Sequence, residues 1–234
     1  MSTKEKNNAA TIIGGGGHRE RLRERFLKVG IKGFHDYEIV ELLLTYAIPR
    51  RDVKPLAKLL IARFKGLRGV LDATIDELKS VKGIGENCAI HICLIKEVCA
   101  EYLKEKTAAK AVVRGAKDVV DYLHLKLSGE KVEKFLAVYM NTKNEILDFE
   151  VLHEGTIDQT IVYPRKAIER AFKHNARSII FVHNHPSGDP TPSARDRELT
   201  RELINAAKGV DIVVHDHIII GKSGYVSGKD MGWF

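Results

Sequence analysis

The spacing of apolar residues changes character part-way along the chain. From His18 to about Leu103 it is helical: Leu22, Phe26 and Val29 recur on one face, then Ile39, Leu42, Leu43 and Tyr46, then Leu56, Leu59, Leu60 and Phe64. Gly30, Gly33, Pro49, Gly66 and Gly69 separate these segments, as residues that end helices and open turns do. Two more helical stretches, 75–80 and 89–103, flank Val81-Lys-Gly-Ile-Gly-Glu-Asn87. After about Val112 the apolar residues gather into short runs rich in β-branched and aromatic side chains, at 135–140, 146–152, 178–182, 212–214 and 217–220, and helical segments at 117–127, 164–174 and 193–208 alternate with them. The pattern predicts a small all-helical domain over 18–105 and a mixed α/β domain over 112–234, with helices packed on a sheet.

The remaining segments are polar. Residues 104–110 are rich in Lys, Glu and Ala without an apolar period and read as a linker. Residues 1–17 are polar and then Gly-rich, bury too little apolar surface to order themselves, and read as a disordered tail. Gly14 to Gly17 are not a phosphate loop, because no strand precedes them and no GK[ST] follows.

Composition narrows the class. A chain of 234 residues with 44% hydrophobic and 29% charged residues is that of a soluble globular protein. Its longest apolar runs, 179–182 and 218–220, fall far short of the roughly 20 residues that span a bilayer. The polar start, 1–10, is no signal peptide. Cys88, Cys93 and Cys99 share one helical stretch and form neither a disulfide framework nor a CxxC site. The expectation is a reduced, cytoplasmic protein without a membrane partner.

The formal charge of +7 is unevenly placed. Residues 1–110 hold 21 Lys and Arg against 14 Asp and Glu, whereas 111–234 hold 17 against 17. A basic module joined to a neutral one suggests that the first meets a polyanion, although charge of this size also serves solubility alone.

The most informative stretch is Ser178-Ile-Ile-Phe-Val-His-Asn-His-Pro-Ser-Gly-Asp-Pro-Thr-Pro-Ser-Ala-Arg-Asp196. A strand over 179–182 would end at His183 and His185, whose spacing of two turns both imidazoles to one face. The loop 186–192, with three prolines and a glycine, delivers the chain to Ser193 at the N-cap of the next helix. Asp196 follows one turn later on the same side. Two His and one Asp give zinc three protein ligands and leave a fourth position for water, the arrangement of a catalytic site. Ser193 and Asp196 would equally form a helix cap, so the joint spacing carries the reading rather than either part. Hydrolysis also needs a carboxylate to move protons, and spacing leaves Glu130, Glu133, Glu150 and Glu154 all open. A second His-x-His, His215-Asp216-His217, is followed by no capped helix carrying an Asp; Asp216 and His217 are expected in packing or supporting hydrogen bonds. An HNH nuclease spreads its His and Asn over a ββα finger, unlike the consecutive His183-Asn184-His185. A zinc deaminase needs a later P-C-x-x-C, and no cysteine follows Cys99.

His183-x-His185-x7-Ser193-x2-Asp196 resembles the JAMM motif of the JAB/MPN metalloprotease superfamily, and the string HNHPSGDPTPSARD resembles the bacterial RadC family (UPF0758-like). The resemblance extends to GHRERLRERF ending at Phe26, AIPRRDVKPLA at 47–57, EGTID at 154–158, YPRKAIERA at 163–171 and DHIIIG at 216–221. It implies an N-terminal helix-hairpin-helix domain followed by a cytidine-deaminase-like MPN/JAB α/β domain. It further implies zinc on His183, His185 and Asp196, Ser193 holding the tetrahedral intermediate, and Glu133 in preference to Glu130 as the base of a metallopeptidase. The substrate, a protein or peptide, is not identified. The alternative is a DNA-binding or DNA-repair accessory whose metal centre is structural or inactive.

In the first domain, Gly83 and Gly85 permit a tight turn between helices, and amides at the next helix's N-terminus can accept a phosphate. The segment is similar to the G-I-G hairpin of helix-hairpin-helix domains, which implies salt-sensitive, nonspecific DNA contact through Lys82, Gly83 and Gly85. Arg19, Arg21, Arg23 and Arg25, and Arg50-Arg51 with Lys54, add basic clusters.

Overall fold

The computed structural model describes residues 17–108, 112–155 and 162–234. The expected tail up to residue 16, residues 109–111 and residues 156–161 lie outside the described residues. The chain divides into two compact units, the first ending at Ile92 and the second starting at Cys93.

The first unit holds α1 (His18–Val29), a 3-10 turn (Gly30–Gly33), α2 (Asp36–Ala47), α3 (Lys54–Phe64), α4 (Leu67–Asp72), α5 (Ile75–Lys79) and the start of α6 (Glu86–Ala108). Local sequence sets several of these boundaries. The Thr74 hydroxyl accepts from Glu77 N at 3.3 Å while Glu77 reaches back to Thr74 N at 2.9 Å, a capping box that starts a helix of only five residues. Leu22, Val40, Leu44, Leu56, Leu60, Val70 and Leu78 form the core. Phe26, Tyr46 and Leu59, which share the expected apolar faces, are instead exposed.

Arg19 and Arg25 of α1 are both engaged within the unit. The Arg19 guanidinium donates to the carbonyls of Thr45, Ile48, Pro49 and Arg51, satisfying acceptors left at the C-terminus of α2. Arg25 pairs with Glu38 at 2.7 Å and lies over the Phe34 ring.

Helix α6 runs on to Ala108, so the stretch expected as a linker is helical through residue 108. Lys, Glu and Ala are strong helix formers, and a solvated helix has no need of an apolar period.

The second unit continues with α7 (Lys117–Leu127), β1 (Glu133–Met140), β2 (Ile146–Gly155), α8 (Pro164–Lys173), β3 (Ser178–Asn184), α9 (Ala194–Lys208), β4 (Val213–Ile220) and β5 (Tyr225–Ser227). One sheet has the order β2-β1-β3-β4-β5, with β3 and β4 parallel and the other neighbours antiparallel. The two strands expected over 212–214 and 217–220 are one strand, because pairing with β3 resumes at Asp216 after an irregularity at His215, which has no partner residue in the β3 register. Alternation along β1 and β3 divides the core. Leu136, Val138, Met140, Ile180 and Val182 pack against α7, while Phe135, Ala137, Tyr139, Ile179 and Phe181 pack against α8 and α9. Both faces of the central strands are therefore covered, which explains why β3 is apolar without alternation and buried throughout.

Candidate metal centre

His183 lies on β3 on the face of Ile179 and Phe181, toward α9, with its ring stacked on Phe135 at 5.9 Å. His185 follows the end of β3, and its amide donates to Ile220 O at 2.9 Å, which keeps the chain extended between the two histidines. The loop 186–192 then folds back against the segment after β4, where Lys222 N donates to Gly188 O at 2.8 Å. A Cβ on Gly221 would stand 2.6 Å from both Gly188 O and Pro190 Cδ, so this close approach requires glycine. Ser193 caps α9: its hydroxyl accepts from Asp196 N at 3.1 Å and donates to Asp196 Oδ2 at 2.7 Å.

These elements bring His183, His185 and Asp196 together, with their ligand atoms all within 4.8 Å of one another. Among the described residues this is the one such cluster of three His, Cys, Asp or Glu side chains. His183 Nε2 lies 3.0 Å from His185 Nε2 and 3.2 Å from Asp196 Oδ1, and His185 Nε2 lies 3.4 Å from Asp196 Oδ2.

The surrounding hydrogen bonds determine which atoms carry lone pairs. Thr200 Oγ1 donates to Asp196 O at 2.6 Å, since a carbonyl cannot donate. His217 Nδ1, 2.5 Å from the same hydroxyl, must then be the donor to it, and a neutral His217 presents an acceptor at Nε2. His183 Nδ1 donates to that Nε2 at 2.8 Å, which leaves the lone pair of His183 on Nε2, facing the centre. His185 Nδ1 donates to Asp189 O at 2.8 Å, so its Nε2 lone pair faces the centre too. Burial holds His183 and His217 below the usual histidine range, in keeping with neutral rings.

Two lone pairs and a carboxylate thus converge on one point, an arrangement that suits a bound cation. Tetrahedral zinc ligands at about 2.0–2.1 Å from the ion are about 3.3 Å from each other, close to the separations between these atoms. The donor set fits the ion. Burial opposes ionisation of Asp196, but the adjacent His183 and His185 rings and the Ser193 hydroxyl prevail and hold its carboxyl well below the usual range. The Asp196 carboxylate beside it pushes His185 up.

The four glutamates left open by spacing fall into different surroundings. Glu130 and Glu154 both pair with Lys134, at 3.0 and 3.4 Å. Glu150 is held by Arg170 at 3.3 Å and His174 at 3.1 Å. Glu133 stands at the start of β1 with Oε1 3.9 Å from His183 Nε2. Burial, aided by the Asp196 charge and opposed by His185, pushes its carboxyl up to about 7. It lines a cleft with Phe135, Val162, His183, Asp196 and Leu199.

The second His-x-His forms no ligand set. His215 Nε2 donates to Asn144 Oδ1 at 2.9 Å, and Asp216 accepts from Ser227 Oγ and from the amides of His217 and Lys229. Sequence reasoning did not single out Thr200 or Asn184. Thr200 sits four residues after Asp196, one turn further along α9, a spacing that could have marked it as a partner.

In the first unit the turn between α5 and α6 holds Lys82, Gly83 and Gly85. Gly83 has φ +103°, and the Arg51 guanidinium lies against it. Lys82 and Gly85 are exposed.

A three-layer α/β domain with a His-x-His at a strand end, facing an Asp on the first turn of the next helix, is a JAB-type domain with a metal-ligand set. The family model described as RadC-like JAB domain matches residues 113–233, and that described as UPF0758 N-terminal matches residues 17–90. A UPF0758 protein of Fusobacterium nucleatum is 41% identical over 223 residues, covering 92% of this chain and 96% of the relative. One of Ruegeria pomeroyi is 38% identical over 216 residues, with the same coverage. The chain belongs to the UPF0758 family, with a RadC-like JAB domain.

Proposed function

We propose that the chain is a zinc-dependent metallopeptidase that cleaves amide or isopeptide bonds in a protein or peptide substrate. The observation that carries this reading is the convergence of the His183 and His185 lone pairs and the Asp196 carboxylate beside Glu133. His183, His185 and Asp196 would hold the zinc, which would supply a Lewis acid for the substrate carbonyl and lower the pKa of a water molecule to about 7. Glu133, titrating near neutrality, accepts the proton of the attacking water and returns it to the leaving nitrogen. Ser193 is the donor to the developing oxyanion; its hydroxyl rotates away from Asp196 Oδ2 to reach it. Phe135, Val162 and Leu199 give the cleft apolar walls that exclude water from the reacting bond.

The helical unit is the DNA-contacting module of this reading, through the phosphates of a duplex and without sequence preference. The exposed Lys82 and the Arg51 guanidinium beside Gly83 support it.

Zinc content and peptide cleavage of the wild type, Glu133→Gln and Asp196→Ala test the enzyme. Zinc retained without turnover in Glu133→Gln, and both lost in Asp196→Ala, are the expected results. Zinc and activity persisting in both variants would overturn the proposal. Retention on duplex DNA, expected to weaken as salt rises and in Lys82→Ala, tests the helical module.

A further inference from the structure

The antiparallel pairing of β1 with β3 ends where Phe135 faces His183. One residue further along β3, the Asn184 side chain takes over the role of a neighbouring strand. Its Oδ1 accepts from Lys134 N at 2.8 Å, and its Nδ2 donates to Val132 O at 3.1 Å. These two backbone atoms belong to the peptide groups on either side of the Glu133 α-carbon. Each bond restrains one peptide plane on the β3 side, and with the pairing of Glu133 to Gly155 in β2 on the other side they limit φ and ψ of Glu133 and the direction in which its side chain leaves the chain. The same residue is held on its other side, where the backbone of Asn184 pairs with Ile220 in β4. Asn184 is 1% exposed, so its carboxamide is shielded from water at its own end of both bonds.

We infer that Asn184 is a positioning residue: it orients Glu133 over the metal ligands by clamping both peptide groups that flank it. This rests on the metallopeptidase reading for its catalytic consequence, but not for the clamp itself. Among side chains short enough to fit this place, only a carboxamide carries an acceptor and a donor on two separate atoms; a serine or threonine hydroxyl has both on one. Aspartate has nearly the same shape but lacks the donor and sets a carboxylate against Val132 O. Alanine removes both bonds. Because Asn184 lies between His183 and His185, one short segment supplies two candidate ligands and the support of the candidate base. A displacement of the base of about 1 Å is enough to slow such chemistry by about 100-fold.

The test uses the full-length protein as wild type, Asn184→Asp and Asn184→Ala. Three quantities are measured: zinc stoichiometry, kcat and KM on a model peptide with zinc bound, and amide exchange of Lys134 and Ala137 in zinc-free protein. With zinc uptake and KM nearly unchanged, kcat is expected to fall by about 10- to 100-fold in Asn184→Ala, and by less in Asn184→Asp, which keeps the Lys134 bond. Lys134 exchange is expected to quicken at least about tenfold in Asn184→Ala, with Ala137 in mid-strand unaffected. Unchanged Lys134 exchange in Asn184→Ala, or an unchanged kcat in both variants of an active protein, would overturn the inference. So would equal quickening at Ala137, which marks a role in the whole strand. A wild type that binds zinc but cleaves nothing would sink the metallopeptidase reading instead, and Lys134 exchange would still decide whether the clamp holds Glu133. Should Asn184→Ala fail to fold, Asn184→Asp, which loses only the Val132 bond, carries the kcat comparison, and an unchanged kcat in it overturns the inference.

Discussion

His183 Nδ1 lies 2.8 Å from His217 Nε2, and the bond between them runs in one direction only. The chain of donors passes from His183 to His217 to Thr200 and ends on the backbone carbonyl of Asp196. The tautomer of one candidate ligand is thus set by a path that closes on the residue supplying another. Breaking it would let His183 protonate Nε2, the atom that has to face the ion. His217→Phe is expected to weaken zinc binding by about 10- to 100-fold, measured by competition with a chromophoric chelator. Phenylalanine fits the aromatic surroundings of Phe135, Phe181 and Trp233, so thermal unfolding of the zinc-free variant separates this effect from general damage. Unchanged zinc affinity would refute the relay.

Ser193 carries two duties that can be separated. As N-cap it satisfies Asp196 N, and its loss to Ala is expected to cost about 1 kcal/mol of stability. As oxyanion donor its loss is expected to lower kcat by about 100-fold or more with little change in KM. Ser193→Thr retains the cap and a hydroxyl. Unfolding curves and steady-state kinetics on Ser193→Ala and Ser193→Thr therefore distinguish a cap from a donor: a kcat unaltered in Ser193→Ala would confine the residue to capping.

The fold was legible where side-chain period and backbone geometry agree. Alternation and helical spacing located the helices and most of the sheet, and the spacing of His183, His185, Ser193 and Asp196 anticipated a cluster that the structure brings together. What remained hidden depends on long-range contacts. Glu133 is 50 residues before His183 in sequence, and only strand pairing puts Phe135 opposite His183. Composition counted every arginine of α1 as part of a basic surface, but Arg19 spends its donors on carbonyls of the fold. The 104–108 stretch misled for a local reason, since a solvated helix and a charged linker share a composition.

The two hairpin glycines look alike in sequence and differ in the structure. Gly83 has φ +103°, and a Cβ there would come within 2.9 Å of Arg51 Nη2, whereas a Cβ on Gly85 meets nothing within 4 Å. Gly83→Ala is expected to destabilise the protein by about 1 kcal/mol or more, and Gly85→Ala, which changes only the N-cap of α6, to cost less. Chemical denaturation of both variants checks this. Equal effects at the two positions would show that the turn does not hold the conformation described.

Stability of the zinc-free protein is expected to fall as the medium is acidified, and His215 provides a test away from the metal cluster. Burial, together with the nearby Lys229 charge and against that of Asp216, lowers its pKa in the folded chain. The neutral ring donates from Nε2 to Asn144 Oδ1. The unfolded chain binds this proton at about pH 6.5, and the folded chain only at lower pH. Between those values the unfolded state holds more protons, so acid favours unfolding. The contribution of His215 is thus intact above about pH 6.5 and is lost as pH falls toward and through its folded value. Glutamine in its place has no proton to take up. Urea midpoints of wild type and His215→Gln, compared from pH 8 to pH 5, are expected to fall less steeply with acid in the variant. Parallel curves would show that His215 titrates alike in the folded and unfolded chains.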